Sequence, residues 1–136
     1  MSELLRDYQV GDTILGSDKN VVTKVQIVKY AGASKDFTPI HIDEEFAEQA
    51  GLGGVIAHGM LTMGVLSNFV EQVAAEEADV VQMKVRFKAM VRPGDEIVSR
   101  AVIKEKVGNL ITLDLETIKG DEKVVLAGEA VLRQKA

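Results

Sequence analysis

Two histidines are all the imidazoles this chain of 136 residues has, and both lie in short segments punctuated by proline or glycine. The first segment is Asp36-Phe37-Thr38-Pro39-Ile40-His41, and the second is Ile56-Ala57-His58-Gly59-Met60. Imidazole beside carboxylate serves two kinds of chemistry: proton transfer near neutral pH, and metal ligation. A lone histidine is most often a hydrogen-bonded residue of a core or loop. Here concentration argues against that bland reading. Both imidazoles, a loop residue that must precede a proline, and the glycine that opens the most apolar stretch all fall between residues 36 and 60. The metal reading is weak, because His41-Ile42-Asp43 offers two ligands and no convincing third. The chain has no cysteine, which removes thiolate zinc sites, disulfides and a cysteine nucleophile. No metal is therefore expected.

The elements that must hold these residues can be read from periodicity. Met60, Leu61, Met63, Val65, Leu66, Phe69, Val70 and Val73 cover most of the circumference of a helix from about His58 to Ala75. A helix this apolar has to be wrapped by something. The second half of the chain supplies the wrapper. Met83, Val85, Phe87, Ala89 and Val91 alternate with Lys84, Arg86 and Lys88, the period of a strand with one buried face. Arg92-Pro93-Gly94-Asp95, Gly108-Asn109 and Lys119-Gly120-Asp121-Glu122 are turns, separating further strands at Ile97 to Val107, around Ile111 to Leu115, and at Val124 to Leu132. Four strands so joined predict an antiparallel meander. In the first half, a strand is expected within Asp12 to Val22 and a short helix from Val25 to Ala33. A loop should run from Ser34 to Ile42. A compact helix should start at Asp43 as N-cap and stop at Gly51. The expected class is α+β, an antiparallel sheet wrapped around one long central helix, in a single domain spanning 1–136.

Composition bounds the partners. The formal charge is −5 and the pI near 5.1, which argues against nucleic acid. No apolar run approaches the roughly 20 residues that span a bilayer. Met1-Ser2-Glu3-Leu4-Leu5-Arg6-Asp7 does not read as a signal peptide, so a cytoplasmic protein is expected.

Tyr30 to Asp43, read as Tyr-Ala-Gly-Ala-Ser-Lys-Asp-Phe-Thr-Pro-Ile-His-Ile-Asp, resembles the signature loop of the MaoC-like, R-specific enoyl-CoA hydratases. Ile56-Ala57-His58-Gly59-Met60-Leu61 resembles that family's second signature, and the spacing between the two fits. The resemblance runs from about Val10 to Leu132. It departs at Lys35, where the family usually has glycine, and at Thr38, where it usually has asparagine. The fold this resemblance implies is the hot dog, in agreement with the pattern above.

The activity it implies is the interconversion of trans-2-enoyl and (R)-3-hydroxyacyl thioesters, in fatty-acid or polyhydroxyalkanoate metabolism. Asp36 and His41 match the family's catalytic pair, which together hold one water. Gly59 matches its oxyanion-hole residue, at a helix start where N–H groups are free and the dipole is positive. Ser67 matches a serine that supports the catalytic aspartate by hydrogen bonding. His58 is read as a residue fixing the loop. Met60, Met63 and Phe69 are expected to form an apolar acyl pocket. No cofactor is implied beyond coenzyme A or acyl carrier protein as the carrier of the substrate.

The resemblance further implies a homodimer, and a heterodimer with another hot-dog subunit is an alternative. Two rival functions share the fold: an acyl-CoA thioesterase, and a catalytically silent subunit that binds acyl thioesters. Lys84, Arg86 and Lys88 on one strand face read first as a solvated face. The sharper reading is attraction of a carrier's phosphates or acidic surface.

Overall fold

The computed structural model describes residues 4–17, 19–120 and 122–136. Met1 to Glu3 of the N-terminal reading and Asp121 of the last turn lie outside the described residues. A single 3₁₀ turn, Leu5–Asp7, precedes two short strands, β1 (Thr13–Leu15) and β2 (Asn20–Val21). Then come α1 (Lys24–Ser34), α2 (Pro39–Ile42), α3 (Glu44–Gln49) and α4 (Gly59–Ala74). Four long strands follow: β3 (Ala78–Phe87), β4 (Glu96–Val107), β5 (Leu110–Lys119) and β6 (Lys123–Gln134).

The sheet is antiparallel throughout, in the order β1-β4-β5-β6-β3, with β2 also paired to β4. The expected meander holds for β4, β5 and β6 but not for β3. That strand pairs with β6, on the opposite side of the sheet from β1. The turn at Arg92–Asp95 forms as expected, with Asp95 N–H donating to the Arg92 carbonyl at 3.0 Å and Gly94 at φ +94°. It does not close a hairpin, because the eight residues from Lys88 to Asp95 carry the chain across to β4. Turn chemistry is local, and it does not say which strand the chain meets next.

The first of those strands is also longer than its alternation suggested. The register of β3 slips between Val80 and Gln82, so one residue is inserted and the inward face changes parity. Ala78 and Val80 face the core before the slip, and Met83 and Val85 after it. At the far end, Lys88 and Ala89 N–H both donate to the Val125 carbonyl. The strand ends at Phe87, and Ala89 and Val91 lie beyond it.

Helix α4 lies against this curved sheet. Leu66, Val70, Val73 and Ala74 are fully or nearly buried against Ile97, Ala101, Ile103, Ile111, Leu113, Leu126 and Leu132. Each large aliphatic side chain buried this way contributes about 1.5–3 kcal/mol. The wrapping is one-sided: Met60 on the helix is 56% exposed, and Gly64, Asn68 and Glu71 are exposed too. Ser34 to Ile42 is not all loop. Pro39 sits at N1, where its missing N–H costs nothing, and one helical turn follows. Four residues are too few to show any periodicity. The Asp43 N-cap forms as expected, its carboxylate accepting from Phe46 N–H at 3.1 Å, and Gly51 takes φ +85° just past the helix.

Candidate active site

The loop that carries Asp36 is shaped at both ends by local chemistry. Helix α1 starts at Thr23, whose hydroxyl accepts from Gln26 N–H, and ends at Lys35 in the left-handed conformation, φ 62° and ψ 23°. This is the position where the family usually has glycine, and the backbone explains why. Ser34 then caps the turn, its hydroxyl accepting from Asp36 N–H at 3.2 Å. Thr38 leads into α2 without capping it. Its hydroxyl donates instead to Asp36 Oδ1 at 2.6 Å, and its N–H reaches the same oxygen at 3.2 Å. These two bonds are the main reason the Asp36 carboxyl is held below its ordinary pKa. Burial opposes them, and the weaker pull of the His58 and His41 imidazoles adds to the lowering.

His41 sits on α2, and its Nδ1 lies 2.8 Å from the Ile56 carbonyl. A carbonyl can only accept, so the Nδ1 proton is fixed and the neutral ring keeps its lone pair on Nε2. The segment that provides this carbonyl is itself clamped. Ile56 N–H donates to the Ile40 carbonyl at 3.1 Å, and Ala57 N–H to Val91 at 2.8 Å. Glu44, ion-paired with Lys24, accepts from Val55 N–H at 3.1 Å.

His58 is the N-cap of α4 and is 2% exposed. Its Nε2 donates to the Asp36 backbone carbonyl at 3.0 Å, tying the second signature segment to the first. Its ring stacks on His41, with centroids 3.9 Å apart, and tilts against Tyr30 at 4.8 Å. Its Nδ1 is buried without a partner among the described residues. Asp36, His41 and His58 each place one potential ligand atom within 4.8 Å of the others. Asp36 thus adds the third potential ligand that His41-Ile42-Asp43 alone did not offer, but one nitrogen of each ring is already committed, His41 Nδ1 to the Ile56 carbonyl and His58 Nε2 to the Asp36 carbonyl. The spacing suits a shared water better, since two groups bonding one water lie about 4.5 Å apart.

Gly59 and Met60 open α4, and their N–H groups donate to no acceptor among the described residues. An open cleft of about 340 Å³ is bordered by Tyr30, Ser34, Asp36, His41, His58, Gly59, Met60 and Phe87. A second of about 310 Å³ adjoins it, sharing His41, Gly59 and Phe87 and adding Ile56, Ala57, Thr62 and Lys88 to Val91. The structure thus brings Asp36, His41, His58, Gly59 and Met60 together.

It does not bring in all the expected residues. Ser67 makes no hydrogen bond to Asp36; Thr38 occupies that role. Phe69 is 5% exposed and faces Gly16, on another side of the helix. Nine residues at 100° each put it half a turn away from Met60, so it belongs to the core and not to an acyl pocket. Met63 is half-buried and borders neither cleft. Phe87 was missed as a site residue. It is the last inward residue of a strand alternation, and no local signal sets it apart from Val85.

A MaoC-like domain profile matches residues 7–125. The chain belongs to the MaoC-like family. A 3-hydroxybutyryl-CoA dehydratase from Methylorubrum extorquens is 30% identical over 129 residues, covering 93% of this chain and 81% of its own. An (R)-specific enoyl-CoA hydratase from Rhodospirillum rubrum is 30% identical over 115 residues, covering 82% and 78%. A fatty acid synthase subunit beta from Aspergillus oryzae is 34% identical over 109 residues; the match takes in 78% of this chain but 5% of that subunit. Among solved structures, the (R)-hydratase from A. caviae involved in PHA biosynthesis superposes with a TM-score of 0.84 at 22% identity, over 96% of this chain and 99% of its own. The MaoC-like chain described above therefore has the hot-dog fold.

Proposed function

We propose that this MaoC-like domain adds water to trans-2-enoyl thioesters to give (R)-3-hydroxyacyl thioesters, and catalyses the reverse dehydration. One observation supports the reading most strongly. The Asp36 carboxylate and the free lone pair of His41 Nε2 line the same cleft as the unpaired N–H of Gly59. A water bonded to both groups aims its oxygen at C3 of an enoyl group whose carbonyl oxygen rests on Gly59 N–H. As the C3–O bond forms, the double-bond electrons shift onto the thioester oxygen. The Gly59 amide and the start of α4 stabilise that charge.

His41 is the proton carrier in this scheme. Asp36, held below its usual pKa by Thr38, is a poor base and serves as a fixed acceptor that orients the water. Nε2 takes the water proton and returns it to C2, so one water supplies both the hydroxyl and the added hydrogen. The scheme calls for no metal and no cofactor beyond the carrier of the thioester. The relatives named as a hydratase and a dehydratase of CoA thioesters support this substrate class.

A homodimer completes the proposal. Strand β3 is a sheet edge, with Val81 and Phe87 exposed on it, and the outer side of α4 is uncovered. A heterodimer is the other outcome of a mass measurement. A cytoplasmic location remains part of the proposal.

The test is incubation with crotonyl-CoA and longer enoyl-CoA thioesters without added metal. Loss of the conjugated-thioester absorbance, with the product accepted by an (R)-specific 3-hydroxyacyl-CoA dehydrogenase, is the expected result. Release of free thiol would favour thioester hydrolysis. No turnover by the pure chain would favour a silent binding subunit.

A further inference from the structure

We propose that the outward basic strip of β3, Lys84, Arg86 and Lys88, binds the phosphates of coenzyme A, so that the carrier of the substrate is the nucleotide and not an acyl carrier protein. This rests on the thioester reading of the cleft, and it follows from three observations.

The first is direction. Asp36 borders one of the two adjoining clefts, Lys88 borders the other, and His41 and Gly59 border both. The reacting C3 must face the water between Asp36 and His41, with the carbonyl oxygen at Gly59. The sulfur end of the substrate therefore leaves on the side away from Asp36, past Lys88.

The second is continuity. Lys88 also borders a separate groove of about 480 Å³ between β3 and β6, together with Lys84, Arg86, Gly128 and Glu129. A chain that leaves the reaction cleft at Lys88 meets this groove next. From Lys88 to Lys84 the strand runs about 13 Å, enough to spread cations along a diphosphate and a further phosphate.

The third is charge. Among the described residues none of the three cations has an ion-pair partner, in a chain whose net charge is −5. The carboxylate in the groove, Glu129, is bonded to Lys104 and also faces Lys84 across the strands, so the free positive charge of the strip rests mainly on Arg86 and Lys88. Concavity chooses between the two carriers. A groove of this volume suits a small molecule, whereas a protein carrier docks across a broad surface of about 800 Å² per partner.

The test compares crotonyl-CoA with crotonyl-pantetheine, which lacks all phosphates, in the parent and in a Lys84→Ala/Arg86→Ala variant. The variant should lower kcat/KM for crotonyl-CoA roughly ten- to hundredfold, through KM, and change the value for crotonyl-pantetheine less than twofold. Added salt should raise KM for crotonyl-CoA alone. An equal loss on both substrates, or no loss on either, overturns the proposal. So does a loss confined to a crotonyl thioester of acyl carrier protein. Calorimetric binding of free coenzyme A to parent and variant reads the groove without turnover. If the parent hydrates nothing yet binds coenzyme A through these residues, the activity fails and the groove stands. Equal binding to both proteins sinks the groove.

Discussion

The imidazoles of His41 and His58 stack at 3.9 Å with their planes 22° apart, yet each ring bonds to the other's signature segment: His41 to the Ile56 carbonyl, His58 to the Asp36 carbonyl. This reciprocal arrangement locks the two loops into one site. It also separates the roles of the rings. His41 keeps a lone pair on the nitrogen not bonded to Ile56, while the buried His58 uses Nε2 to hold Asp36.

His58→Phe should keep the stack and lose the bond to Asp36. Turnover is expected to fall about tenfold, with KM little changed, against about 10³ for His41→Ala. His58→Gln, which can still donate to the carbonyl, should recover part of the loss. If Phe and Gln variants are equally impaired, the bond to Asp36 is not what matters.

Gly59 has a packing reason to be glycine as well as a chemical one. A side chain there would bring its first carbon 2.9 Å from the Phe87 ring, which is 54% exposed and able to swing aside. Gly59→Val should lose thermal stability that Phe87→Ala restores, while turnover stays about 10²–10³ below that of Phe87→Ala alone. Thermal unfolding and turnover measured on the same samples separate the two effects. Recovery of both together would reduce Gly59 to a packing residue.

The titration of Asp36 should report on Thr38. The Asp36 carboxyl is depressed in the folded protein, so its contribution is present above the ordinary aspartate pKa and is lost as pH falls through the lowered value. Turnover also needs the neutral His41 ring, so the readout is the carboxyl itself: Thr38→Val removes the hydroxyl bond and should raise the pH at which the Asp36 side-chain carbon signal titrates by NMR. An unmoved titration would show that the Thr38 hydroxyl is not what holds the carboxyl down.

The chemistry was more legible in the sequence than the path of the chain. Asp36, His41, His58 and Gly59 stand in two short segments, and local spacing is what a sequence displays directly. The placement of β3 beside β6, and of Phe87 over Gly59, depends on a crossover of long range. Phe69 could have been assigned to the core beforehand, because its angle from Met60 around α4 is simple arithmetic. Ser67 could not have been replaced by Thr38 in that way; only coordinates show whose hydroxyl reaches Asp36.

Lys35 holds a left-handed conformation that costs a side chain about 1–2 kcal/mol. Glycine escapes that cost but gives up about 0.5–1 kcal/mol of chain entropy on folding. Lys35→Gly should therefore be neutral to about 1.5 kcal/mol more stable by denaturant midpoint, with kcat unchanged. A clear loss of stability would mean that the lysine makes up the difference through its side chain.

The account stands on Asp36 and His41 acting on one water, and a double-mutant cycle with crotonyl-CoA measures that most directly. Asp36→Asn and His41→Ala should each lower kcat by on the order of 10³, with the fold intact. The double variant should be little worse than either single one, because removing one partner already releases the water. Losses that multiply toward 10⁶ would show that the two residues act independently, and would contradict the shared water.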